Sequence, residues 1–273
     1  MFCCDQIQGY DKNYQTANIM NVGDMFNIFN SFKPEIVFHL AAMVSRVTCE
    51  ISPYMTVDTN LSGLNNIIQL CLTHKSKLIY FSTSEVYGNI GGKLSETREC
   101  EPNNLYGLTK YLGEKLVEYY SKDGLKYVTV RPFMFYDENE TKGEHRSAMI
   151  RFCVNLSQGI PITVHKGSKR SWMYIMDVLP ILEKLMFVEN ETVNIASSEM
   201  INTEVLAMII CNILGISYEG NVVETRLPPK MTLDKYPDTN KMETFTGIKA
   251  TTPVKEGIMK ILSELKNENI LSI

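Results

Sequence analysis

A strand-like run, Lys77-Leu-Ile-Tyr-Phe-Ser-Thr-Ser-Glu-Val-Tyr-Gly88, is followed in this chain by Tyr106-Gly-Leu-Thr-Lys110, so that a hydroxyl, a carboxylate, a phenol and an amine could meet at one sheet edge. Tyr106 and Lys110 stand four positions apart, and a helix would carry both on one face. An ammonium beside a phenol favours the phenolate, which turns a group titrating near ~10 into a usable base. The same spacing recurs at Tyr111 and Lys115, and an ordinary amphipathic helix produces it without any chemistry. Context separates the two pairs. Tyr106 opens a helical stretch behind Glu101-Pro-Asn-Asn104, whose Asn103 or Asn104 can cap the first turn, whereas Tyr111 points to another face. Tyr106 and Lys110 are therefore the candidate catalytic pair, with Thr83, Ser84 and Glu85 closing the strand before them.

The elements that must position these residues follow from periodicity. Val22, Met25, Phe26 and Phe29 keep helical spacing, and Lys33-Pro34 breaks that helix before the apolar run Ile36–Ala42. Leu61, Leu64, Ile68 and Cys71 repeat the stripe ahead of a strand at 78–82. A helix over 106–121 then leads to a strand at Tyr127–Pro132. Strands alternating with helices predict an α/β fold, a doubly wound parallel sheet of Rossmann type, which binds ligands beyond the carboxyl ends of its strands. Thr83, Ser84 and Glu85 occupy such an end.

After Arg131-Pro132 the pattern changes. Residues 137–146 are polar and charged, helices are expected near 147–158, 178–187, 202–214 and 254–267, and short strands near 162–165, 172–176 and 192–196. The division expected is an incomplete dinucleotide-binding domain over 1–135 and a smaller α/β substrate-binding half over 136–273, with some segments returning to the main sheet.

Composition bounds the function. With 44% apolar and 21% charged residues the chain reads as an ordinary globular protein. No apolar run approaches the ~18 residues of a membrane span and no signal peptide opens it, which predicts a cytoplasmic protein without a membrane partner. A net charge of −4 gives no general attraction for nucleic acid, so phosphate recognition must come from a few placed arginines. Guanidinium groups bind phosphate oxygens in pairs, which makes Arg146, Arg151, Arg170 and Arg226 the candidates. Arg146 and Arg151 could equally solvate a helix. Seven cysteines without metal or disulfide spacing predict buried thiols and no metal site.

The motifs Val37-Phe-His-Leu-Ala-Ala42, Asn60-Leu-Ser-Gly63, Ser82-Thr-Ser-Glu-Val-Tyr-Gly88, Tyr106-x-x-x-Lys110, Arg131-Pro-Phe133 and Arg170-Ser-Trp-x-Tyr-Ile-x-Asp177 occur in the order seen in extended short-chain dehydrogenases. The chain resembles the NAD-dependent epimerase/dehydratase family, which acts on nucleotide-diphosphate sugars, from about residue 18 to about residue 265. The resemblance implies NAD as cofactor, with Asn18, Ile19, Leu40, Ala41, Ala42, Asn60, Tyr106, Lys110 and Pro132 along it. It implies that Tyr106 takes a proton from a sugar hydroxyl, that Lys110 lowers its pKa and holds the nicotinamide ribose, and that Thr83 bonds the reacting oxygen. His39 reads as a packed strand residue, and Asn60 as a tie between a helix and the active-site strand. Arg170 and Arg226 match the family's diphosphate positions best. A homodimer is expected, through helices near 59–73 and 106–121.

Glu85 bears on the reaction class. Oxidation at C4 of a sugar acidifies the C5 proton, and a carboxylate poised there permits loss of water across C5–C6. Glu85 is similar to the base of the 4,6-dehydratases, although many of those place Asp where this chain has Ser84. Thr-Ser-Glu is also similar to the pattern in UDP-glucuronate decarboxylases. A 4,6-dehydratase working through a 4-keto intermediate is thus the leading expectation. The others are a 4-epimerase, a decarboxylase, or a non-catalytic family member acting as a binding or dimer partner. Met134 and Asp137 replace an Asn and a Gly of the family's Arg-Pro-x-Asn-x-Tyr-Gly, which leaves the sugar undefined. A glycine-rich first turn, the usual pyrophosphate cradle, is absent: Gly9 and Gly23 are isolated, and Asn18 stands where the family has Asp. By that register the first strand, the turn, the first helix and most of the second strand are expected to be missing.

Overall fold

A computed structural model describes residues 1–143, 146–227, 234–268 and 270. Along the chain run β1 (Cys3–Asp5), β2 (Tyr14–Thr16), α1 (Val22–Phe32), β3 (Ile36–His39), α2 (Arg46–Ile51), α3 (Pro53–Val57), a π-helical segment (Asp58–Gly63), α4 (Leu64–His74) and β4 (Lys77–Phe81). A 3₁₀ turn (Ser84–Tyr87) then leads to β5 (Lys93–Leu94), α5 (Leu105–Ser121), β6 (Tyr127–Pro132), β7 (Met134–Tyr136), α6 (Ala148–Ser157), β8 (Ile162–His165), β9 (Lys169–Tyr174) and α7 (Ile175–Leu185). The remainder is β10 (Glu191–Ile195), β11 (Met200–Asn202), α8 (Thr203–Leu214), β12 (Val222–Thr225), β13 (Tyr236–Pro237), α9 (Asn240–Thr246) and α10 (Val254–Asn267). Two compact units divide these elements: Met1–Val86, Pro102–Arg131 and Met186–Val193 form the first, and Tyr87–Glu101, Pro132–Leu185 and Asn194–Ile273 the second.

The first unit is the α/β sheet that the alternating pattern predicts, in the order β10-β6-β4-β3. β3 and β6 both pair parallel with β4, so that Phe38 and Val128 flank Ile79. β4 is central, and Leu78, Ile79 and Tyr80 on it are fully buried, as an apolar run covered on both faces should be. α1 begins at Asn21, whose side chain accepts from the Gly23 and Asp24 N–H groups, and it ends at Lys33 in the left-handed region, just before Pro34. Met25, Ile28 and Phe29 of α1 pack with Leu64, Ile67, Ile68 and Cys71 of α4 in the core of this unit.

Three expectations need correction here. The strand expected to run to Ala42 stops at His39, because both polar atoms of the Asn60 amide bind the Met43 backbone and turn the chain out of the sheet. Ahead of Asn18, where the family register leaves most of the second strand missing, Cys3–Asp5 and Tyr14–Thr16 form the short parallel pair β1 and β2. Every residue of β1 is exposed, and so no apolar alternation marks it. That exposure also corrects the cysteines: Cys49, Cys71, Cys153 and Cys211 are buried thiols, but Cys3 and Cys4 are exposed and Cys100 is half-buried.

The second unit holds a three-stranded sheet, β11-β9-β7, and the strand pairs β12-β8 and β13-β5. Its core gathers Phe152, Leu156, Trp172, Leu206, Ile210, Ile258 and Leu262. The strand expected at 172–176 is β9, ending at Tyr174, and α7 starts at Ile175, three residues before the helix expected there. Among the described residues no helix is long and apolar enough to cross a membrane, and no group of His, Cys, Asp or Glu is placed to hold a metal ion.

Candidate active site

All five candidate catalytic residues lie in the first unit, where β4 delivers one half and α5 the other. The chain leaves β4 through Thr83 and Ser84, both buried, and turns at once, with the Glu85 N–H donating to Thr83 Oγ1 at 3.2 Å. α5 starts at Asn104, whose Oδ1 accepts from the Gly107 N–H at 2.9 Å. Glu50 supports the same helix end by accepting from the Leu105 N–H at 3.0 Å. The helix end also touches the strand end directly: a Cβ on Gly107 would come within 2.7 Å of the Glu85 carbonyl oxygen, a distance to backbone that nothing can relieve. Position 107 must be glycine for α5 to approach this closely.

Within that frame Thr83 hydrogen-bonds the Tyr106 phenol, and the Glu85 carboxylate accepts from Asn104 Nδ2 at 3.0 Å. Lys110 is buried, its ammonium 4.6 Å from the centre of the Tyr80 ring. The Tyr80 hydroxyl donates to the Lys110 carbonyl at 3.2 Å. Behind Lys110, one further turn along, lies Glu114. Its carboxylate takes two bonds from the Arg131 guanidinium, at 2.9 and 2.6 Å, and one from the Ser82 hydroxyl. Thus β4, α5 and β6 are tied together under the site by a fully buried carboxylate.

The electrostatics correct one expectation. Burial pushes the Tyr106 phenol up to about 12, the charges of Glu85 and Cys49 add to the rise, and the bond from Thr83 only partly opposes it. Lys110 does not bring it below the ordinary tyrosine range. Desolvation explains why: the same burial lowers Lys110 to about 7, with Glu114 opposing the drop, so the ammonium is itself only partly charged near neutrality. His39, stacked on Tyr80, is lowered to about 3 by burial and then by the Lys110 charge. It is a neutral packing residue, as its place on β3 predicts.

The other candidates are more scattered. Asn60 is buried and donates to Thr109 Oγ1 on α5 at 3.0 Å as well as binding Met43. It therefore ties the π-helical segment to α5 and to the loop after β3, not to the active-site strand. Leu40 is 60% exposed, and Ala41 and Ala42 follow it out of the sheet. Asn18, just past β2, folds its side chain onto the Met20 N–H, and the Ile19 carbonyl accepts from Asn66. Pro132 closes β6. In the second unit a cavity of about 400 Å³ is lined by Lys142, Gly143, Ile150, Arg151, Val154 and Asn155. Of the four arginines only Arg151 lines it. Arg146 and Arg226 are exposed, and Arg170 on β9 donates to the Lys169 carbonyl.

Sequence reasoning missed three residues. Asn104 was legible as a cap but not as a partner of Glu85. Glu114 continues the spacing of Tyr106 and Lys110 along one helix face, a signal that could have found it. Asp5 ends β1 with an exposed carboxylate that accepts from the Ile7 N–H, the kind of group dinucleotide folds use to hold the adenosine ribose.

The chain belongs to the NAD dependent epimerase/dehydratase family, whose sequence pattern matches residues 4–227. A putative UDP-glucose 4-epimerase of Methanocaldococcus jannaschii is 28% identical over 241 residues, 86% of this chain and 78% of that protein. A UDP-N-acetyl-alpha-D-glucosaminuronate decarboxylase of Bacillus cytotoxicus is 31% identical over 67% of this chain, a match that spans 59% of that relative's length. In fold the chain is similar to the UDP-glucose 4-epimerase of Thermotoga maritima, solved with UDP-glucose, with a TM-score of 0.91 at 22% identity over 97% of this chain and 90% of that one. The relatives thus carry the names of nucleotide-sugar enzymes of more than one reaction type.

The residues present fit one end of an NAD molecule. A hydroxyl, a phenol and a buried amine at the carboxyl edge of a parallel sheet suit the nicotinamide ribose. The amino end of α1 does not suit the pyrophosphate, because Asn21 already occupies the Gly23 and Asp24 N–H groups and Asp24 puts a negative charge in the first turn.

Proposed function

We propose that this chain is an NAD-dependent enzyme that modifies a nucleotide-diphosphate sugar through a 4-keto intermediate, and that the reaction is a 4,6-dehydration. Bound NAD would accept a hydride from C4 of the sugar and return one later. The observation that carries the reading is the Glu85 carboxylate, held on Asn104 at the helix end that also bears Tyr106. A surface glutamate with no role would have no need of that anchorage.

The residues divide the work. Tyr106 exchanges a proton with the sugar 4-hydroxyl, and Thr83 bonds the same oxygen and steadies it. Lys110 reaches the nicotinamide ribose and shares the proton with Tyr106. Asp5 would hold the adenosine ribose. Glu85 removes the C5 proton once C4 is a ketone and passes that proton to the departing 6-hydroxyl, which leaves as water, with Ser84 assigned to assist it. Asn18, Ile19, Leu40, Ala41, Ala42, Asn60 and Pro132 complete the cofactor side. Arg146, Arg151, Arg170 and Arg226 are assigned to the substrate diphosphate, and Arg151 has the support of the cavity it lines.

Glu85→Gln separates the chemistries, since it removes the C5 base and leaves Tyr106 in place. With UDP-glucose and NAD⁺, 4-keto-6-deoxy product should vanish while slow reduction of NAD⁺ survives. Unchanged turnover to an epimerised sugar would make Glu85 a bystander and the chain a 4-epimerase, the reading that the name of the Methanocaldococcus relative favours. No reduction of NAD⁺ by the parent chain would favour a binding role without catalysis.

A second copy of this chain is the partner we assign. The apolar surface that supports it lies on α2, α3 and α5, where Val47, Ile51, Tyr54, Met55, Leu108 and Leu112 are all exposed. The segment 59–73, expected to share it, shows no large exposed apolar residue among those described. Light scattering at micromolar concentration should give twice the chain mass, and a charged residue at Tyr54 should return it to one.

A further inference from the structure

The amide of Asn104 makes three hydrogen bonds. Its Oδ1 caps α5 at the Gly107 N–H, and the two hydrogens of Nδ2 go to Glu85 Oε2 at 3.0 Å and to Asn103 Oδ1 at 3.1 Å. Turning the amide over would set its carbonyl against the Glu85 carboxylate and its NH₂ against a backbone N–H, so both ends fix one orientation. Capping alone does not require asparagine, because serine, threonine and aspartate accept from the same backbone group as well. What asparagine adds is a donor aimed at Glu85. The first-turn N–H groups of Leu105 and Gly107 are engaged by Glu50 and by the cap, and the amide reaches the carboxylate from the same helix end. Gly107 presses on the Glu85 backbone from the same turn, and residue 85 is thereby gripped at both its main chain and its carboxylate.

We propose that Asn104 is a positioning residue for Glu85, holding the carboxylate ionised and aimed beside Tyr106, so that the 4-keto stage loses its C5 proton in preference to simple return of hydride. This rests on the reading of Glu85 as the C5 base. A carboxylate bonded by a neutral amide keeps its charge and its place, whereas one faced by a second carboxylate holds its proton to higher pH and is turned away from its target. Titratable groups at this helix end include Tyr106 on α5, with Lys110 one turn on, and Cys49 and Glu50 on α2. None of them is changed by substitution at 104.

The test is a pH titration of Glu85 in the whole chain labelled with ¹³C at glutamate carboxyls, the resonance being assigned by its loss in Glu85→Gln. Asn104→Asp keeps an equally good cap and should raise the Glu85 midpoint by about one pH unit or more, with the heat-unfolding midpoint falling by only a few degrees at neutral pH. Asn104→Ser, a cap too short to span the gap, should raise it less. In parallel, exchange of the C5 hydrogen of UDP-glucose with solvent deuterium in the presence of NAD⁺ should fall several-fold in Asn104→Asp below about pH 5 and recover toward the parent as pH rises to neutrality, as a base with a raised pKa dictates. An unmoved Glu85 titration in Asn104→Asp overturns the proposal, whatever Glu85→Gln does. A moved titration together with undiminished C5 exchange in Glu85→Gln overturns the base reading instead, and with it the role assigned to Asn104.

Discussion

Replacing Tyr106 with phenylalanine should lower turnover by ~10²-fold or more and leave nucleotide-sugar affinity within a few fold. The substitution removes one oxygen from a half-buried ring, so the packing of α5 against β4 survives while the proton acceptor disappears. Thr83 then keeps its place but loses the phenol it bonds. Because the phenol of the parent is held up at about 12, its basic form is scarce at neutral pH, and oxidation of the sugar should speed up as pH rises. The phenylalanine variant should lose that rise along with most of its rate. Steady-state kinetics across pH, with calorimetry for binding, would decide it, and turnover within a few fold of the parent would remove Tyr106 from the chemistry.

Glu114→Gln should cost about 3–5 kcal/mol of stability, since it takes a charge out of a fully buried pair and leaves the Arg131 guanidinium without its carboxylate. At ~2–4 °C per kcal/mol for a chain of this size, the heat-unfolding midpoint should fall by roughly 10 °C. The loss comes from desolvation and not from the pair's own attraction. Hence changing both members to methionine, which removes both charges, should restore most of the midpoint. A double variant no better than Glu114→Gln would mean that the pair attracts more strongly than burial penalises it.

The sequence announces the alternation of strands and helices because buried parallel strands and amphipathic helices leave strong periodic marks, and β3, β4, α5 and β6 all fall close to where those marks place them. The Tyr106 and Lys110 spacing is equally visible, being local to one helix. Contacts between elements are not. Nothing in the string of residues brings Asn104 to Glu85, or Glu114 to Arg131, because each pair meets only after the sheet has formed. Periodicity also fails where an element is wholly exposed, as in β1, or where it changes phase, as between Arg46 and Gly63. Desolvation was the least legible quantity of all. Tyr106 and Lys110 look like a base and its activator from spacing, and burial moves both pKa values against that expectation.

The π-helical segment at Asp58–Gly63 amounts to one residue more than an α-helix needs at that point, an insertion absorbed within a turn. Removing a residue there would let the chain from Pro53 to His74 run as a single α-helix, but everything ahead of the deletion would swing by about 100° about the axis. Asn60 would leave Met43, and the outer residues Tyr54 and Met55 would rotate toward the interior. The segment therefore uncouples two stretches of one continuous rod. Upstream, Tyr54 and Met55 face outward while Leu64, Ile67, Ile68 and Cys71 face the core, and the extra residue sets the angle between the two faces.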